Sequence, residues 1–388
     1  MRRPAALLLL LAAVWGFTSA SSAQAPRYTP AGLEAIQTLI DGAVRSGRIP
    51  SAIAMLAHDG RIAWLHTAGE MGPGVPMSDD AIIPLASVGK MHTAVAAMML
   101  VEDDVLSLDD PVGRFIPEFT RLSPEVPITV RHLLTHTAGL TVSGDEFWEV
   151  WDAHSGRTTT TEFSRALAAL PLQSRPGEKF DYGQTGASYE VLGAVIEIAS
   201  GRTLQAFMTE RLFEPLGLRD THFHLPEPKR ARRPAFFRHV DGALKPERPM
   251  GEDAPRSNYF HGGGGVQSSA RDIARFSRLF LDGGAVDGVR ILAPATIAMM
   301  MSDQIGALTP FPGGLSWGLG AAVRTEPDGT VTQYGWSGGG YATLIIDPVG
   351  RTTAYFAFPV MPPGDNALLT EFRRLVREAK APAAAGGT

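Results

Sequence analysis

The spacing of apolar residues changes twice within the first part of the chain. Residues 29–48 place apolar side chains three and four positions apart, which is typical of one face of a helix. Residues 51–58 and 61–68 are short, mainly apolar runs and predict two strands. Asp59-Gly60 lies between them, and this pair is a strong signal for a tight hairpin. The chain is therefore predicted to begin as helix, strand, strand.

The middle of the chain predicts helices separated by proline-rich loops. The predicted helices span residues 88–102, 130–135, 161–169 and 188–200, and Gly201 ends the last of them. We expect a loop over residues 143–155 and a further segment over residues 227–257 to shape a pocket. Their aromatic residues indicate an apolar cleft, unless these rings only pack against the core.

The last third returns to strand patterns. Predicted strands span residues 318–325, 330–337, 341–347 and 352–358, and a helix over residues 367–379 follows. An antiparallel sheet built from both chain ends, flanked by helices and interrupted by a mainly helical domain, is an α+β plan. We expect the sheet domain to comprise residues 24–90 and 205–380, and the helical domain residues 91–204. Residues 381–388 predict a disordered tail.

Composition and the N-terminus narrow the possible functions. A basic start followed by a short apolar run and small residues predicts a signal peptide over residues 1–23, cleaved after Ala23; the alternative is an uncleaved anchor. We therefore expect a periplasmic or secreted protein without a stable membrane anchor. The net charge of −5 gives no reason to expect nucleic-acid binding, and the absence of cysteine excludes a thiolate nucleophile.

The sequence Ser87-Val88-Gly89-Lys90 is the first candidate for catalysis. It precedes an apolar helix, so Lys90 lies one turn beyond Ser87 on the same face. A serine hydroxyl needs a base before it can attack a carbonyl, and a desolvated lysine can provide one. Alone, this motif is equally compatible with a helix-capping serine and a solvated lysine.

The flanking sequence supports the catalytic interpretation. Residues 83–112, 128–140, 176–182, 192–196 and 269–276 resemble, in order, segments of the class C β-lactamase, family VIII carboxylesterase and D-aminopeptidase group. The resemblance covers roughly residues 30 to 360. It implies the fold of penicillin-recognising enzymes and a nucleophilic Ser87 assisted by Lys90.

The resemblance assigns a second motif at Tyr182-Gly183-Gln184. The family pattern is Tyr-x-Asn, so Tyr182 would act as a phenolate base or as a proton relay to the leaving group. Lys90, as a neighbouring cation, would favour the phenolate. Gln184 replaces the family asparagine, and its longer side chain would reach Lys90 or a substrate amide.

The third motif, usually Lys-Thr-Gly or His-x-Gly, is here Trp336-Ser337-Gly338. A tryptophan at this place resembles the family VIII esterases. The backbone N–H groups of Ser87 and Gly339 would form the oxyanion hole, and the third-motif residues would contact substrate. An indole cannot hold a substrate carboxylate as a lysine can, so Trp336 favours neutral esters over penicillins.

Two other patterns point elsewhere. Residues 335–339 match the G-x-S-x-G nucleophile elbow of α/β-hydrolases, and His261-Gly262-Gly263-Gly264 resembles their oxyanion loop. That fold requires a histidine after the serine, whereas the last histidine here is His261. We interpret glycines 262–265 as sites of close backbone packing. His132 and His136 have a spacing that can bind zinc but lack a third ligand, so we expect structural histidines and neither a metal nor a cofactor.

These observations predict a serine hydrolase that cleaves ester, and in second place amide, bonds of small substrates through an acyl-enzyme. One alternative is a β-lactamase or a D-Ala-D-Ala carboxypeptidase or D-aminopeptidase, which an exported protein could reach in the cell wall. Another is a catalytically silent binding protein. The sequence does not indicate the oligomeric state.

Overall fold

The computed structural model describes residues 28–140, 144–183, 187–247, 258–309, 311 and 314–381. Within these residues, eight strands form one antiparallel sheet in the order β10-β11-β12-β13-β14-β1-β2-β3. Two-stranded ribbons join β4 to β7, β5 to β6 and β8 to β9. The strands are β1 Ser51–His58, β2 Arg61–Gly72, β3 Val75–Pro76, β4 Ile82–Pro84, β5 Phe236–Val240, β6 Ala243–Glu247, β7 Gln267–Ser269, β8 Ala285–Val286, β9 Val289–Arg290, β10 Leu315–Trp317, β11 Ala322–Thr325, β12 Val331–Gly338, β13 Ala342–Asp347 and β14 Thr352–Ala357.

The two ends of the chain meet in the centre of this sheet, as the apolar pattern predicts. Met55 of β1 lies opposite Leu65 of β2 on one side and Tyr355 of β14 on the other. At the turn between β1 and β2, Asp59 and Gly60 both have positive φ, 49° and 70°. This is the backbone that a two-residue hairpin with the sheet's twist requires. The predicted α+β class is therefore confirmed.

Helices cover both faces of the sheet. Thr353 Oγ1 donates a hydrogen bond to Ser277 Oγ of α8, whereas Phe356, three residues further on, stacks on Phe372 of α10. Because side chains alternate along a strand, these two helices lie on opposite faces. The α-helices are α1 Pro30–Arg45, α2 Lys90–Glu102, α3 Val130–Leu134, α4 Asp145–His154, α5 Thr160–Leu167, α6 Ala187–Ser200, α7 Leu204–Met208, α8 Ala270–Leu281, α9 Pro294–Met300 and α10 Asn366–Ala379.

The middle of the chain is mainly helical, and its first long helix is central to the fold. In α2 every residue from Lys90 to Leu100 is buried, so the helix is apolar on all sides and not amphipathic. Shorter helical turns complete this region and the loops after it. They are Ala86–Gly89, Val112–Arg114, Pro117–Arg121, Thr209–Phe213, Glu227–Arg232 and Gly306–Leu308. The boundaries of the sheet and helical domains remain predictions.

Two local predictions are wrong. The segment expected to be a loop over residues 143–155 contains helix α4, which begins with Asp145 and Glu146, where acidic residues favour a helix start. Phe147 and Trp151 lie one turn apart on α4, and Trp151 packs edge-on against Phe163. The strand expected over residues 318–325 forms only in its second half: residues 322–325 are β11, whereas residues 318–321 make the turn that follows β10.

The predicted signal peptide, residues 1–23, lies outside the described residues, and so does nearly all of the predicted tail. None of the described helices combines the length and the apolar character needed to cross a bilayer.

Candidate active site

The chain places Ser87 at the start of the buried helix by a strained turn. Strand β4 ends at Pro84, and Ala86 takes a left-handed backbone conformation with φ 45°. A residue with a Cβ costs of order 1–2 kcal/mol there. The helical turn Ala86–Gly89 then continues directly into α2. Ser87 is thus fixed between the end of a strand and the first turn of a buried helix.

Lys90 is the first residue of α2 and is almost completely buried, with 1% of its surface exposed. Its Nζ donates hydrogen bonds to Ser87 Oγ and to the backbone oxygen of Gly263, both at 2.8 Å. A buried amine is costly unless its hydrogen bonds are satisfied, and these two contacts direct it at the serine. The motif spacing therefore gives the contact that base-assisted nucleophilic attack needs.

Tyr182 lies against the same lysine. The Nζ of Lys90 is 5.1 Å from the centre of the Tyr182 ring. The backbone N–H of Asp181 donates to the carbonyl oxygen of His136 at 2.8 Å, which fixes the segment that carries the tyrosine. Residues that are far apart in sequence, Ser87, Lys90 and Tyr182, are thus brought together.

Trp336 contacts the phenol directly. Its Nε1–H donates a 2.8 Å hydrogen bond to Tyr182 Oη, and the two ring centres are 5.0 Å apart. Trp317 packs edge-on against Trp336 at 4.8 Å and donates its own Nε1–H to the Leu134 carbonyl oxygen. Trp317 belongs to no motif and is not among the residues that the sequence predicts for the site. Its position before a glycine-rich turn was the one available signal.

A buried histidine supports the other face of Tyr182. The rings of His136 and Tyr182 are 4.6 Å apart, and Tyr189 and Trp317 pack around the same imidazole at 5.1 Å. Burial, and then the charge of Lys90, lower the pKa of His136 well below its usual value. The imidazole is therefore neutral and serves as part of the aromatic wall.

Strand β12 brings the third motif against the serine. A Cβ placed on Gly338 would lie 2.5 Å from Ser87 N and 2.8 Å from the Leu85 carbonyl oxygen, so only glycine allows this approach. The side chain of Ser337, between Trp336 and Gly338, is directed away from them. Its hydroxyl bonds to Thr343 Oγ1 at 2.8 Å and accepts from Arg373 at 2.7 Å. The structure therefore does not bring the Ser337 hydroxyl to the other predicted site residues.

Gly339 follows at the turn between β12 and β13 with a positive φ of 58°. Tyr341 N–H closes this turn on the Gly338 carbonyl oxygen at 3.0 Å. Among the described residues, no acceptor takes a hydrogen bond from the N–H of Ser87 or of Gly339. An oxyanion hole requires two such backbone donors, and this role of Ser87 and Gly339 stays a prediction.

Comparison with protein families fits this geometry. The family model described as Beta-lactamase matches residues 36–378. The chain belongs to the beta-lactamase family. Membership in this family, with esterases among the relatives, makes it a serine hydrolase of the carboxylesterase-like kind.

Relatives of the chain within the beta-lactamase family include esterases and penicillin-binding proteins. Esterase EstB of Burkholderia gladioli is 33% identical, over 75% of this chain and 80% of that protein. Penicillin-binding protein 4 of Amycolatopsis lactamdurans is 32% identical, over 77% of this chain and 78% of that protein. The solved structure of EstCE1, a hydrolase with promiscuous acyltransferase activity, superimposes with a TM-score of 0.76 at 26% identity, covering 90% of this chain and 98% of that one.

The remaining predicted residues fall into two groups. Gln184 lies outside the described residues, so its predicted contact with Lys90 or substrate stays a prediction. His132 accepts the Thr129 N–H at the start of α3, which is a structural capping contact. Within the described ranges, no three His, Cys, Asp or Glu side chains cluster as a metal site would require.

The G-x-S-x-G sequence at residues 335–339 and the glycine run after His261 have other roles in this beta-lactamase fold. Ser337 lies within strand β12, which a further strand follows, so it is not at the strand-to-helix turn of a nucleophile elbow. A Cβ on Gly262 would lie 2.3 Å from the Tyr189 carbonyl oxygen, which agrees with the close backbone packing expected of this glycine run.

Proposed function

We propose that this protein hydrolyses esters, and in second place amides, of small molecules through an acyl-enzyme on Ser87. The observation that carries the proposal is the buried Lys90 amine, whose Nζ lies 2.8 Å from Ser87 Oγ. A hydroxyl in contact with a desolvated amine has the base that it needs for attack on a carbonyl carbon. The esterase relatives support the same reaction class.

The proposed steps follow from the contacts. Lys90 takes the proton of Ser87, whose Oγ bonds to the substrate carbonyl carbon, and Tyr182 relays this proton toward the leaving group. The N–H groups of Ser87 and Gly339 stabilise the resulting oxyanion, a contribution of about 3–4 kcal/mol for each such donor. Tyr182 then protonates the leaving alcohol as the carbon–oxygen bond breaks. Water attacks the acyl-enzyme and releases the acid.

Trp336 supports the choice of neutral substrates. At this place in the motif the indole donates to Tyr182 Oη and offers no positive charge to a substrate carboxylate. Arg373 of α10, a basic residue that contacts this strand, donates hydrogen bonds to the hydroxyls of Ser337 and Thr370. Helix α4 adds an aromatic wall, in which Trp148 is 41% exposed and its ring lies 6.3 Å from that of Trp151. These features suit an apolar acyl or alcohol group.

A second candidate is the cleavage of β-lactams or D-Ala-D-Ala peptides. The relationship to penicillin-binding protein 4 of Amycolatopsis lactamdurans favours it. Turnover of a chromogenic cephalosporin and of a short-chain aryl ester by the same preparation separates the two. Our proposal predicts that kcat/KM is at least tenfold higher for the ester.

We also propose that the protein is exported after cleavage behind Ala23. The basic start, the apolar run and the small residues before this position support the proposal. The intact mass and N-terminal sequence of protein recovered outside the inner membrane test it. A product that retains residues 1–23 would contradict it.

Substitution of the two central residues tests the catalytic proposal. Ser87→Ala should abolish ester turnover, and Lys90→Arg should lower kcat/KM by about 10²–10⁴-fold, because a guanidinium cannot take the serine's proton. Lys245→Arg, a change at an exposed lysine on β6, serves as the matched control and should keep full activity. Circular dichroism and the melting temperature establish that each variant is folded. Full turnover by folded Ser87→Ala would contradict the proposal.

A further inference from the structure

A buried carboxylate that the proposed steps do not use lies behind the active site. Glu190 of α6 has no exposed surface. It accepts hydrogen bonds from Tyr259 Oη and from the Gly263 N–H, both at 3.0 Å, and it contacts Nδ1 of His261. A carboxylate is retained in a protein interior only when several donors satisfy it. The structure thus gives Glu190 a specific imidazole partner.

His261 is oriented by this contact. Because Nδ1 is directed at Glu190, Nε2 lies on the opposite edge of the ring, and it is the nitrogen that can accept a proton. The His261 side chain is 16% exposed, whereas Glu190 is fully enclosed. No hydrogen-bond partner of Nε2 is found within the residues that the structure describes. The ring therefore has one fixed edge and one open edge.

The open edge lies near the peptide bond that joins Ala86 to Ser87. A Cβ placed on Gly264 would be 3.1 Å from His261 Nε2 and 3.2 Å from the carbonyl carbon of Ala86. That carbon is bonded to the nitrogen of Ser87. The imidazole and the peptide bond between Ala86 and Ser87 therefore both lie next to Gly264. Trp151 packs edge-on against the same ring at 5.5 Å. The histidine thus lies between the aromatic wall and the nucleophile.

The same peptide joins this pair to Lys90. The N–H of Gly263 donates to Glu190, and its carbonyl oxygen accepts from Lys90 Nζ at 2.8 Å. A continuous set of hydrogen bonds therefore connects Glu190 to the Lys90–Ser87 pair. His261 is attached to this set through its carboxylate, close to the reacting groups.

We propose that His261, held by Glu190, is the general base that activates water for hydrolysis of the acyl-enzyme. The inference rests on the proposed function, since it needs an acyl group on Ser87. Once Ser87 is esterified, the water that attacks the ester must lose a proton in the same step. An imidazole with one nitrogen fixed by a carboxylate and the other open, near the peptide that leads into Ser87, is suited to take it.

The step balances as follows in atoms and charge. The water oxygen bonds to the acyl carbon while His261 Nε2 takes one of its protons, which gives an imidazolium beside Glu190 and a tetrahedral oxyanion. The carbon–Oγ bond then breaks, and Ser87 Oγ takes up the proton that the imidazolium releases. The product leaves as the acid, and Ser87 and His261 regain their starting states.

Pre-steady-state kinetics with a p-nitrophenyl ester test this role, because they separate acylation from deacylation. His261→Gln should still release one equivalent of p-nitrophenol per site in the first turnover. Its steady-state rate should then fall by about 10²-fold as acyl-enzyme accumulates on Ser87. His222→Gln, a change at a half-buried histidine whose Nε2 contacts the Arg219 carbonyl oxygen, is the matched control and should behave as wild type.

Chemical rescue distinguishes proton transfer from support of the fold. In His261→Ala, free imidazole should restore deacylation in proportion to its unprotonated fraction, with no change in the first turnover. Tyr259→Phe removes one hydrogen bond from Glu190 and should slow deacylation more than acylation in a protein that circular dichroism shows to be folded. The Tyr259→Phe variant therefore still tests the role of the Glu190–His261 pair in deacylation if His261→Ala does not fold.

Several outcomes would overturn the inference. Wild-type deacylation by His261→Gln would do so. An equal fall in acylation and deacylation with no imidazole rescue would also do so, since it indicates a structural role. Absence of any acyl adduct even in wild type would overturn the proposed function together with this inference, whereas the first two outcomes leave acylation of Ser87 intact.

Discussion

Trp336 shows at the scale of single residues how one side chain alters an active site without removing its nucleophile. A lysine at this position would place a charge near Tyr182, whereas the indole places one N–H donor 2.8 Å from the phenol oxygen. A donor aimed at this oxygen stabilises negative charge on it, as a cation does, but it leaves no charge for a substrate carboxylate. The proposed preference for neutral esters follows from this difference.

Trp336→Phe tests the contribution of that donor. The change keeps an aromatic ring next to Trp317 but removes the hydrogen bond to Tyr182 Oη. A hydrogen bond to a group that becomes charged contributes about 1.5–3 kcal/mol, so kcat/KM for an aryl ester should fall about 10- to 100-fold. The melting temperature should change little. Unaltered kcat/KM in the folded variant would show that the indole only fills space.

Single residues also show where sequence reasoning reaches its limit. Ser87 and Lys90 are three residues apart on one helix, so local geometry alone predicts their contact. Glu190 and His261 are 71 residues apart, and nothing in either segment indicates that they meet. His261 drew attention only as part of a glycine-rich run, and its carboxylate partner is visible only in the fold.

The scale of secondary-structure elements explains why the site has this shape. Strand β12 approaches the turn before α2 closely enough that Gly338 has no room for a side chain beside Ser87 N. The same strand carries Trp336 to Tyr182, which belongs to the helical middle of the chain. The active site therefore depends on the contact between one sheet strand and the start of one buried helix.

Gly338→Ala tests this contact between elements. Its Cβ would meet Ser87 N at 2.5 Å and must displace β12 or the Ser87 turn. We expect kcat to fall about 10²–10³-fold, as it does when an oxyanion donor is misplaced. Gly42→Ala is the control, because a Cβ on this α1 glycine has no heavy atom within 4 Å. Normal turnover by Gly338→Ala would argue against the oxyanion hole at Ser87 and Gly339.

Predictions of whole elements succeeded where the apolar spacing was strong. Strand β1 and the hairpin at Asp59-Gly60 agree with the prediction because a continuous apolar run and turn chemistry are local signals. Helix α4 was not predicted because polar residues separate its three aromatic side chains, Phe147, Trp148 and Trp151. Only the fold shows that one of them, Trp151, packs against Phe163 of α5. The predicted strand over residues 318–325 failed because glycines 318 and 320 end one strand and turn the chain into the next.

At the scale of the whole molecule, the described residues form one large apolar core and a smaller one around Trp317, and the large core region also encloses polar groups. His92 of α2 is fully buried and stacks on Phe276 of α8 with ring centres 3.7 Å apart. Burial lowers the pKa of His92 from 6.5 to about 3. Burial also lowers the pKa of His136. Folding thus requires two neutral histidines, and this couples the stability of the molecule to pH.

The sign of that coupling is fixed by the lowered pKa. Between about pH 6.5 and pH 3 the unfolded chain binds more protons at His92 than the folded chain. The free energy of unfolding should therefore fall as pH falls through this window, by up to about 1.4 kcal/mol per pH unit for one group. Urea denaturation at pH 7, 6 and 5 measures the slope.

His92→Leu should show a shallower loss of stability over this range. His239→Leu, a change at an exposed histidine of β5, is the control and should keep the wild-type slope. An unchanged slope in His92→Leu would mean that the buried imidazole is not the group that titrates.

The central claim concerns one covalent bond, and intact-mass spectrometry tests it most directly. After brief incubation with an acylating ester probe, the protein should gain one acyl group, and peptide mapping should locate it on Ser87. The Ser87→Ala variant should gain none. A stoichiometric adduct on another residue, present equally in Ser87→Ala, would contradict the account.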